Sequence, residues 1–339
     1  MSNRLTNRFF RLKRQQKGCL SLVVMCLVIS LCLSKGKSDV AATVSLNNAL
    51  LRLSMDDFVT GERFVDLSDV AIYTRDYAHN YPSVKLHANF MILVDEALDA
   101  RAIQAIARSK VFFIKPDSLD SFVEIILPLI TQRFILLSHL SDMDAGTVKS
   151  VLNIPNLHKW YGCNMYPHMK TKSVPLGLEN ADMWKRTNFS EVISARTNEK
   201  NKMLYVYFNT KSNEIKRSQA LSQLVDNGFK VQGRAQWSEY INDLSKYKFC
   251  ASPEGNGVDT HRMWECLYLG VIPIVIKTPE LYNWYSDLPI LWITSFKGVT
   301  PEFLRGVRIV EDKSARRLNT GLYSVSLIRN SLAVDIQSL

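Results

Sequence analysis

The sequence predicts an α/β protein of two parallel-sheet halves facing a cleft, preceded by one N-terminal membrane-spanning helix. Three observations predict this: an uncharged apolar stretch behind a basic leader, short apolar runs alternating with helical patterns, and a return of that alternation after a polar break. With 339 residues, 47% of them hydrophobic, the chain can bury one large or two medium cores.

The apolar stretch runs from Gly18 to Ser34, between Lys17 and Lys35. It is near the shortest helix that crosses a hydrocarbon core of about 30 Å, and flanking lysines can reach the headgroups. Six basic residues precede it and two follow, which keeps the N-terminus cytoplasmic and sends the rest into the secretory lumen. A cleaved signal peptide is the alternative, with Cys32-x-Ser34 as a poor cleavage site. The long basic leader favours an uncleaved signal anchor over 18–34, with a cytoplasmic tail over 1–17 and a stem over 35–64.

The same leader accounts for the net charge of +10. Arg4, Arg8, Arg11, Lys13, Arg14, Lys17, Lys35 and Lys37 all precede the first acidic residue, Asp39; without these eight, 34 basic residues face 32 acidic ones. A nearly neutral body excludes nucleic acid as a partner. Cys19, Cys26 and Cys32 lie in the apolar stretch, leaving Cys163, Cys250 and Cys266 for at most one internal disulfide, whose pairing stays open. No zinc spacing occurs. Asn188-Phe189-Ser190 is the one N-glycosylation sequon.

The first half spans 65–185. Val70 to Thr74, Met91 to Val94, Val111 to Ile114 and Phe134 to Ser138 read as strands, and Leu98 to Ser109 and Leu119 to Thr131 as helices. A polar stretch without buried periodicity makes 186–201 a linker. The second half, 202–300, repeats the pattern. Its strands are Met203 to Phe208, Phe229 to Gln232, Phe249 to Ala251 and Val271 to Ile276; its helices are Ser212 to Asn227, Trp237 to Lys246 and Thr260 to Leu269. Residues 301–339 form a C-terminal extension. Two such blocks predict two Rossmann-like halves.

The chemistry concentrates in Lys248 to Ile276, which reads as strand, glycine-containing loop, helix, turn and strand. Gly255 and Gly257 let the loop backbone approach a ligand, and Asp259 or Thr260 caps the helix, whose exposed amides attract phosphate oxygens. At about 100° per residue, His261, Arg262 and Glu265 share one arc while Met263, Trp264 and Leu267 take another. A guanidinium there can clamp a diphosphate, and a carboxylate one turn on can accept from ribose hydroxyls. A surface i, i+3 ion pair is the plain alternative for Arg262 and Glu265.

The run Ser252-Pro253-Glu254-Gly255-Asn256-Gly257, then Asp259-Thr260-His261-Arg262, Trp264-Glu265 and Leu269 to Val275 resembles the sugar-nucleotide signature of exostosin-like glycosyltransferases. Lys159 to Asn164, His168 and Val174 to Glu179 resemble a second block of the same group. The resemblance implies a B-type glycosyltransferase of two Rossmann-like halves, with the nucleotide sugar held mainly by the C-terminal half and a glycan or glycoprotein acceptor by the N-terminal half. It also implies a single-pass type II protein of the Golgi or endoplasmic reticulum, in agreement with the anchor. The donor-binding set is Glu254, Gly255, Asn256, Gly257, Thr260, His261, Arg262 and Glu265.

Transfer needs charge stabilisation on the leaving nucleoside diphosphate, a role for Arg262, His261 and the helix amides. It also needs a base for the acceptor hydroxyl if the reaction inverts the anomeric centre. Leu136 to Asp144 follows a predicted strand, where parallel sheets present site residues, so His139 and Asp142 are eligible, with Asp142 preferred. His168 and Glu179 are further site candidates. Asp142-Met143-Asp144 also fits an Asp-x-Asp manganese pattern, but the donor signature carries its own cation, so no essential metal or cofactor is expected. A non-catalytic luminal carbohydrate-binding or scaffold protein is the alternative; a sulfotransferase lacks support because no Gly-x-x-x-x-Gly-Lys-Ser/Thr loop occurs.

Overall fold

Mixed α/β structure with parallel sheets is what the computed structural model shows. It describes residues 42–46, 50–81, 84–142, 149–180, 187–311 and 324–339. Gly18 to Ser34 lies outside them; among the described residues no helix is long and apolar enough to cross a membrane.

Strand β1 (Thr43–Leu46) leads to helix α1 (Gly61–Val65), capped by Thr60. Phe58, Val59 and Phe64 are fully buried, so the expected stem over 35–64 is corrected: its distal part already belongs to the packed body. Next come β2 (Val70–Tyr73), α2 (Arg75–Asn80), β3 (Met91–Leu93), α3 (Ala100–Arg108), β4 (Val111–Ile114), β5 (Phe134–Ser138), β6 (Leu157–Gly162) and β7 (Thr171–Ser173). These strands form one parallel sheet in the order β3-β2-β4-β5-β6-β7. Alternate side chains bury on opposite faces, Val70 and Ile72 with one cluster and Ala71 and Tyr73 with the other. Burial of both faces explains the uninterrupted apolar runs. The helix expected over Leu119 to Thr131 is instead a short α turn, a π turn over Phe122–Ile126 and a 3-10 turn over Leu127–Leu129. Pro128 supplies no N–H to continue an α ladder.

Helix α4 (Phe189–Ala195) stands where a linker without buried periodicity is expected, and it buries Val192 and Ala195 in the second core. Strand β8 (Lys202–Tyr205), helices α5 (Glu214–Asp226) and α6 (Trp237–Leu244), β9 (Tyr247–Ala251), α7 (His261–Leu269), β10 (Ile272–Ile276), α8 (Pro279–Tyr285) and β11 (Leu291–Ile293) follow. The second sheet is parallel in the order β11-β10-β9-β8. Phe229 to Gln232, expected as a strand, does not join it. Its Phe229 N–H donates back to the Leu224 carbonyl of α5 at 3.1 Å, its Gln232 N–H donates to the Val206 carbonyl at 2.9 Å, and the Gln232 side chain accepts from the Val206 N–H at 2.5 Å. A side-chain amide thus takes the place of the ladder.

Beyond the second sheet, β12 (Arg308–Glu311) pairs in parallel with β1, and α9 (Val325–Gln337) returns to the first sheet. Val325, Ile328 and Leu332 bury against one face of that sheet, and Asp335 accepts from Tyr161 at 2.6 Å and Lys172 at 2.8 Å. The C-terminal extension is therefore part of the first core.

Candidate functional site

In the first sheet the chain leaves β2 for the edge strand β3 and then returns to β4 on β2's other side. Carboxyl ends around such a reversal leave a crevice. A cavity of about 420 Å3 opens there, lined by Tyr77 and Tyr81 after β2, Lys115 after β4, Leu140 to Asp142 after β5, and Leu176, Glu179 and Asn180 after β7. His261 reaches it from α7.

Two non-glycine residues at these strand ends have left-handed backbones, Leu140 at φ 67° and Asn164 at φ 52°. Each costs about 1 kcal/mol or more and persists only where neighbours enforce it. His139 enforces the first. Its Nδ1 accepts from the Leu140 N–H at 2.9 Å and its Nε2–H donates to the Pro175 carbonyl at 3.0 Å. Asn164 Oδ1 accepts from the Asp259 N–H at 3.1 Å, joining the end of β6 to the loop before α7.

These bonds correct the expectation that His139 is an eligible base. Both ring nitrogens are used, the residue is 1% exposed, and burial pushes its pKa down to about 4. His139 is a neutral structural brace. Asp142 is exposed beside the cavity, and its Oδ2 accepts from Asn256 Nδ2 at 3.0 Å. Asp144 lies outside the described residues.

The glycine loop also differs from expectation. A Cβ on Gly255 would lie 2.8 Å from an Arg217 nitrogen, and one on Gly257 would lie 2.9 Å from Asn164 Nδ2. The close approach at both glycines is taken by protein rather than left to a ligand. Arg217 binds the Glu254 carbonyl at 2.9 Å, Asn213 binds the Gly255 carbonyl at 2.8 Å, and the Glu254 carboxylate pairs with Lys216. Glu254, Gly255 and Gly257 thus shape the loop.

Thr260 caps α7, its Oγ1 accepting from the Met263 N–H at 3.3 Å. Asp259 does another job. Its buried carboxylate accepts from the Leu176 N–H, Tyr285 and Trp264 at 2.9, 3.0 and 2.7 Å, tying the first sheet's last loop to α7. Burial raises its pKa to about 6 against those hydrogen bonds. The next residues on the helix diverge. His261 Nδ1–H donates to the Gly177 carbonyl at 2.8 Å.

Arg262 points the other way, into a second cavity of about 550 Å3 lined by Tyr207, Asn209, Lys211, Arg234, Trp237 and Tyr240. Its Nε donates to Glu265 at 3.3 Å, its Nη1 donates to the Tyr207 carbonyl, and the guanidinium lies 4.8 Å from the Tyr240 ring centre. Glu265 is wholly buried and also accepts from the Tyr240 hydroxyl. The expected contact of Glu265 with a ribose is therefore corrected: the carboxylate is enclosed and neutralises Arg262 from below. A buried pair of this kind is costly to break, because the surviving charge is left uncompensated.

His168 sits in the exposed turn between β6 and β7, where Lys170 N–H donates to its Nδ1 at 3.2 Å, and it lines neither cavity. Glu179 does line the first. Sequence reasoning missed Tyr77, Tyr81 and Lys115, and Tyr207, Lys211 and Trp237. Each follows or begins a strand-end loop, a position that marks a site only once sheet order is known. Cys250, Cys266 and Cys163 are buried free thiols.

No protein-family model matches the chain, and no curated protein matches it. Among solved structures, one described as the glycotransferase of kitacinnamycin is similar over 87% of this chain and 95% of that one, at 12% identity and a TM-score of 0.38. A likeness that low carries no argument, so the exostosin-like resemblance rests on the motif residues themselves.

Proposed function

We propose that the chain is a glycosyltransferase of B-type architecture, two Rossmann-like halves across a cleft, that moves a sugar from a nucleotide sugar to a glycan or glycoprotein. One observation carries the reading: consecutive residues at the start of α7 line different cavities, His261 the first and Arg262 the second. A ligand with a nucleoside at one end and a sugar at the other, joined by a diphosphate, would place its two ends in cavities lined by neighbouring residues of one helix.

In this reading the nucleoside lies among Tyr207, Trp237 and Tyr240, and Arg262, Lys211 and Arg234 face the phosphates. As the anomeric C–O bond breaks, the electron pair leaves on the diphosphate, where the helix end and Arg262 stabilise it. The acceptor hydroxyl oxygen bonds to the anomeric carbon, and its proton goes to His261 Nε2. Such a single displacement inverts the anomeric centre. The role first given to His139 and Asp142 thus passes to His261, with Asp142 and Asn256 bracing the loop. No metal is required.

His261→Asn keeps a donor for the Gly177 carbonyl and removes the basic nitrogen. The expected result is a fall in turnover of about 10²- to 10⁴-fold with nucleotide affinity kept within about threefold. Transfer assays on the full-length chain in mild detergent, with a panel of nucleotide sugars, read this directly. Wild-type chain that neither transfers nor hydrolyses any nucleotide sugar, yet binds glycans, would favour the non-catalytic alternative.

The basic leader and apolar segment support a type II orientation in Golgi or endoplasmic reticulum membranes, with the sheets luminal. Digestion of the sheets by protease added outside sealed microsomes would contradict that orientation.

A further inference from the structure

Resting on the luminal orientation of the sheets, we propose that Asn188 carries an N-linked oligosaccharide, attached in the turn that leads into α4. Asn188-Phe189-Ser190 is the only Asn-x-Ser/Thr run in the sequence, so N-glycosylation of this chain is decided at one residue. A folded protein can hold such a bulky, hydrophilic group only where the asparagine reaches solvent and its amide nitrogen can be spared. The sequon also demands a hydroxyl two residues on.

All of this is present. Asn188 and Ser190 are exposed, whereas Thr187 before them is buried. Phe189, between the two, packs inward: its ring centre lies 5.9 Å from that of Phe58, and the Arg63 guanidinium lies over it at 4.7 Å. The peptide is thus anchored by its middle residue while the asparagine and serine stay in solvent. Asn188 Oδ1 accepts from the Ser190 N–H at 3.1 Å and from the Ser190 hydroxyl at 2.7 Å. Both bonds of this turn use the carboxamide oxygen, so they survive substitution on the nitrogen. Nδ2 donates to Glu191 Oε1 at 3.3 Å, which takes one of its two protons. Glu191 Oε1 also accepts from Ser238 at 2.6 Å and so ties the start of α4 to α6. A nitrogen that gives up its other proton to a sugar still has one N–H for Glu191, and the tie is kept.

In the attachment, Asn188 Nδ2 bonds to the anomeric carbon of an oligosaccharide borne on a polyprenyl diphosphate, the co-reactant, under a transferase of the lumen other than this chain. The anomeric C–O bond breaks, its electron pair leaves on the diphosphate, and the amide proton goes to solvent. Asn188 and Ser190 line neither cavity, so the attachment point lies outside the proposed donor and acceptor spaces.

The test translates the full-length chain with sealed microsomes, alongside a known glycoprotein that shows them competent for N-glycosylation. Wild type should give one slower-migrating species that peptide N-glycosidase returns to the unmodified position, and release in heavy-oxygen water should leave the label at position 188. Ser190→Ala, which leaves the asparagine in place, and Asn188→Gln should each abolish the slower species, and Ser190→Thr should retain it. Attachment acts on the emerging chain, so a variant that folds poorly still reports. Protease added outside the microsomes reads orientation separately and should leave the sheets intact in every chain. Wild type without the slower species while its sheets are protected would overturn the modification and leave the luminal orientation standing. A slower species that persists in Ser190→Ala or Asn188→Gln would overturn it equally. Sheets digested from outside would remove both.

Discussion

His139 and Asp259 are the two buried groups whose protonation most sets how this site responds to acid. Burial lowers His139 to about 4, so between pH 4 and 6.5 the unfolded chain binds a proton there that the folded one refuses. Stability from this residue rises with pH over that window, by about 3 kcal/mol in all. Asp259 is raised to about 6, so the folded chain keeps a proton that the unfolded one releases above 3.8, and stability falls as pH rises from 3.8 to 6. The two slopes oppose each other, and His139→Gln, which keeps a donor for Pro175, should unmask the second. Relative to wild type, the variant should lose about 3 kcal/mol between pH 4 and 6.5 in denaturant titrations. Parallel pH profiles for the two chains would show that His139 is not held neutral. Neither group is legible in the sequence as a brace, since a histidine after a strand looks the same whether its nitrogens face a cavity or two backbone groups.

At the scale of elements, the legible parts are those with local causes. β4 and β5 run as read because both faces of a central parallel strand are buried, and α7 starts at His261 because the Thr260 hydroxyl caps the first turn. Departures occur where a distant group decides. Phe229 to Gln232 has strand-like residues, yet the Gln232 side chain occupies the ladder position, and α4 finds its buried face only against the second core. The loop after β7 is another such case. Gly177 has φ 68°, and a Cβ there would lie 2.0 Å from the Val59 carbonyl oxygen, whereas Gly228, at φ 85°, has nothing within 4 Å. Gly228→Ala should cost about 1 kcal/mol from backbone strain alone, and Gly177→Ala at least about 2 kcal/mol more because the chain must move away from Val59. Equal urea midpoints for the two variants would contradict the close packing of that loop on the segment before α1.

For the whole molecule, the sequence located the motif that matters but not the spaces on either side of it. Arg262 and Glu265 sit on one helical arc as their spacing requires, yet the arc faces Tyr240 and Tyr207, and Glu265 is sealed beneath the arginine. Where the first sheet reverses direction and where α9 returns are long-range facts that no window of residues contains. From them comes the central claim, that a nucleotide sugar lies across the start of α7 with its nucleoside beside Arg262 and its sugar beside His261. Amide hydrogen exchange of the full-length chain, with and without saturating UDP, GDP, ADP or TDP, tests that claim most directly. At least one nucleotide should slow exchange in 207–211, 234–237 and 260–263 together. Protection confined to other segments, or none with any nucleotide, would contradict it.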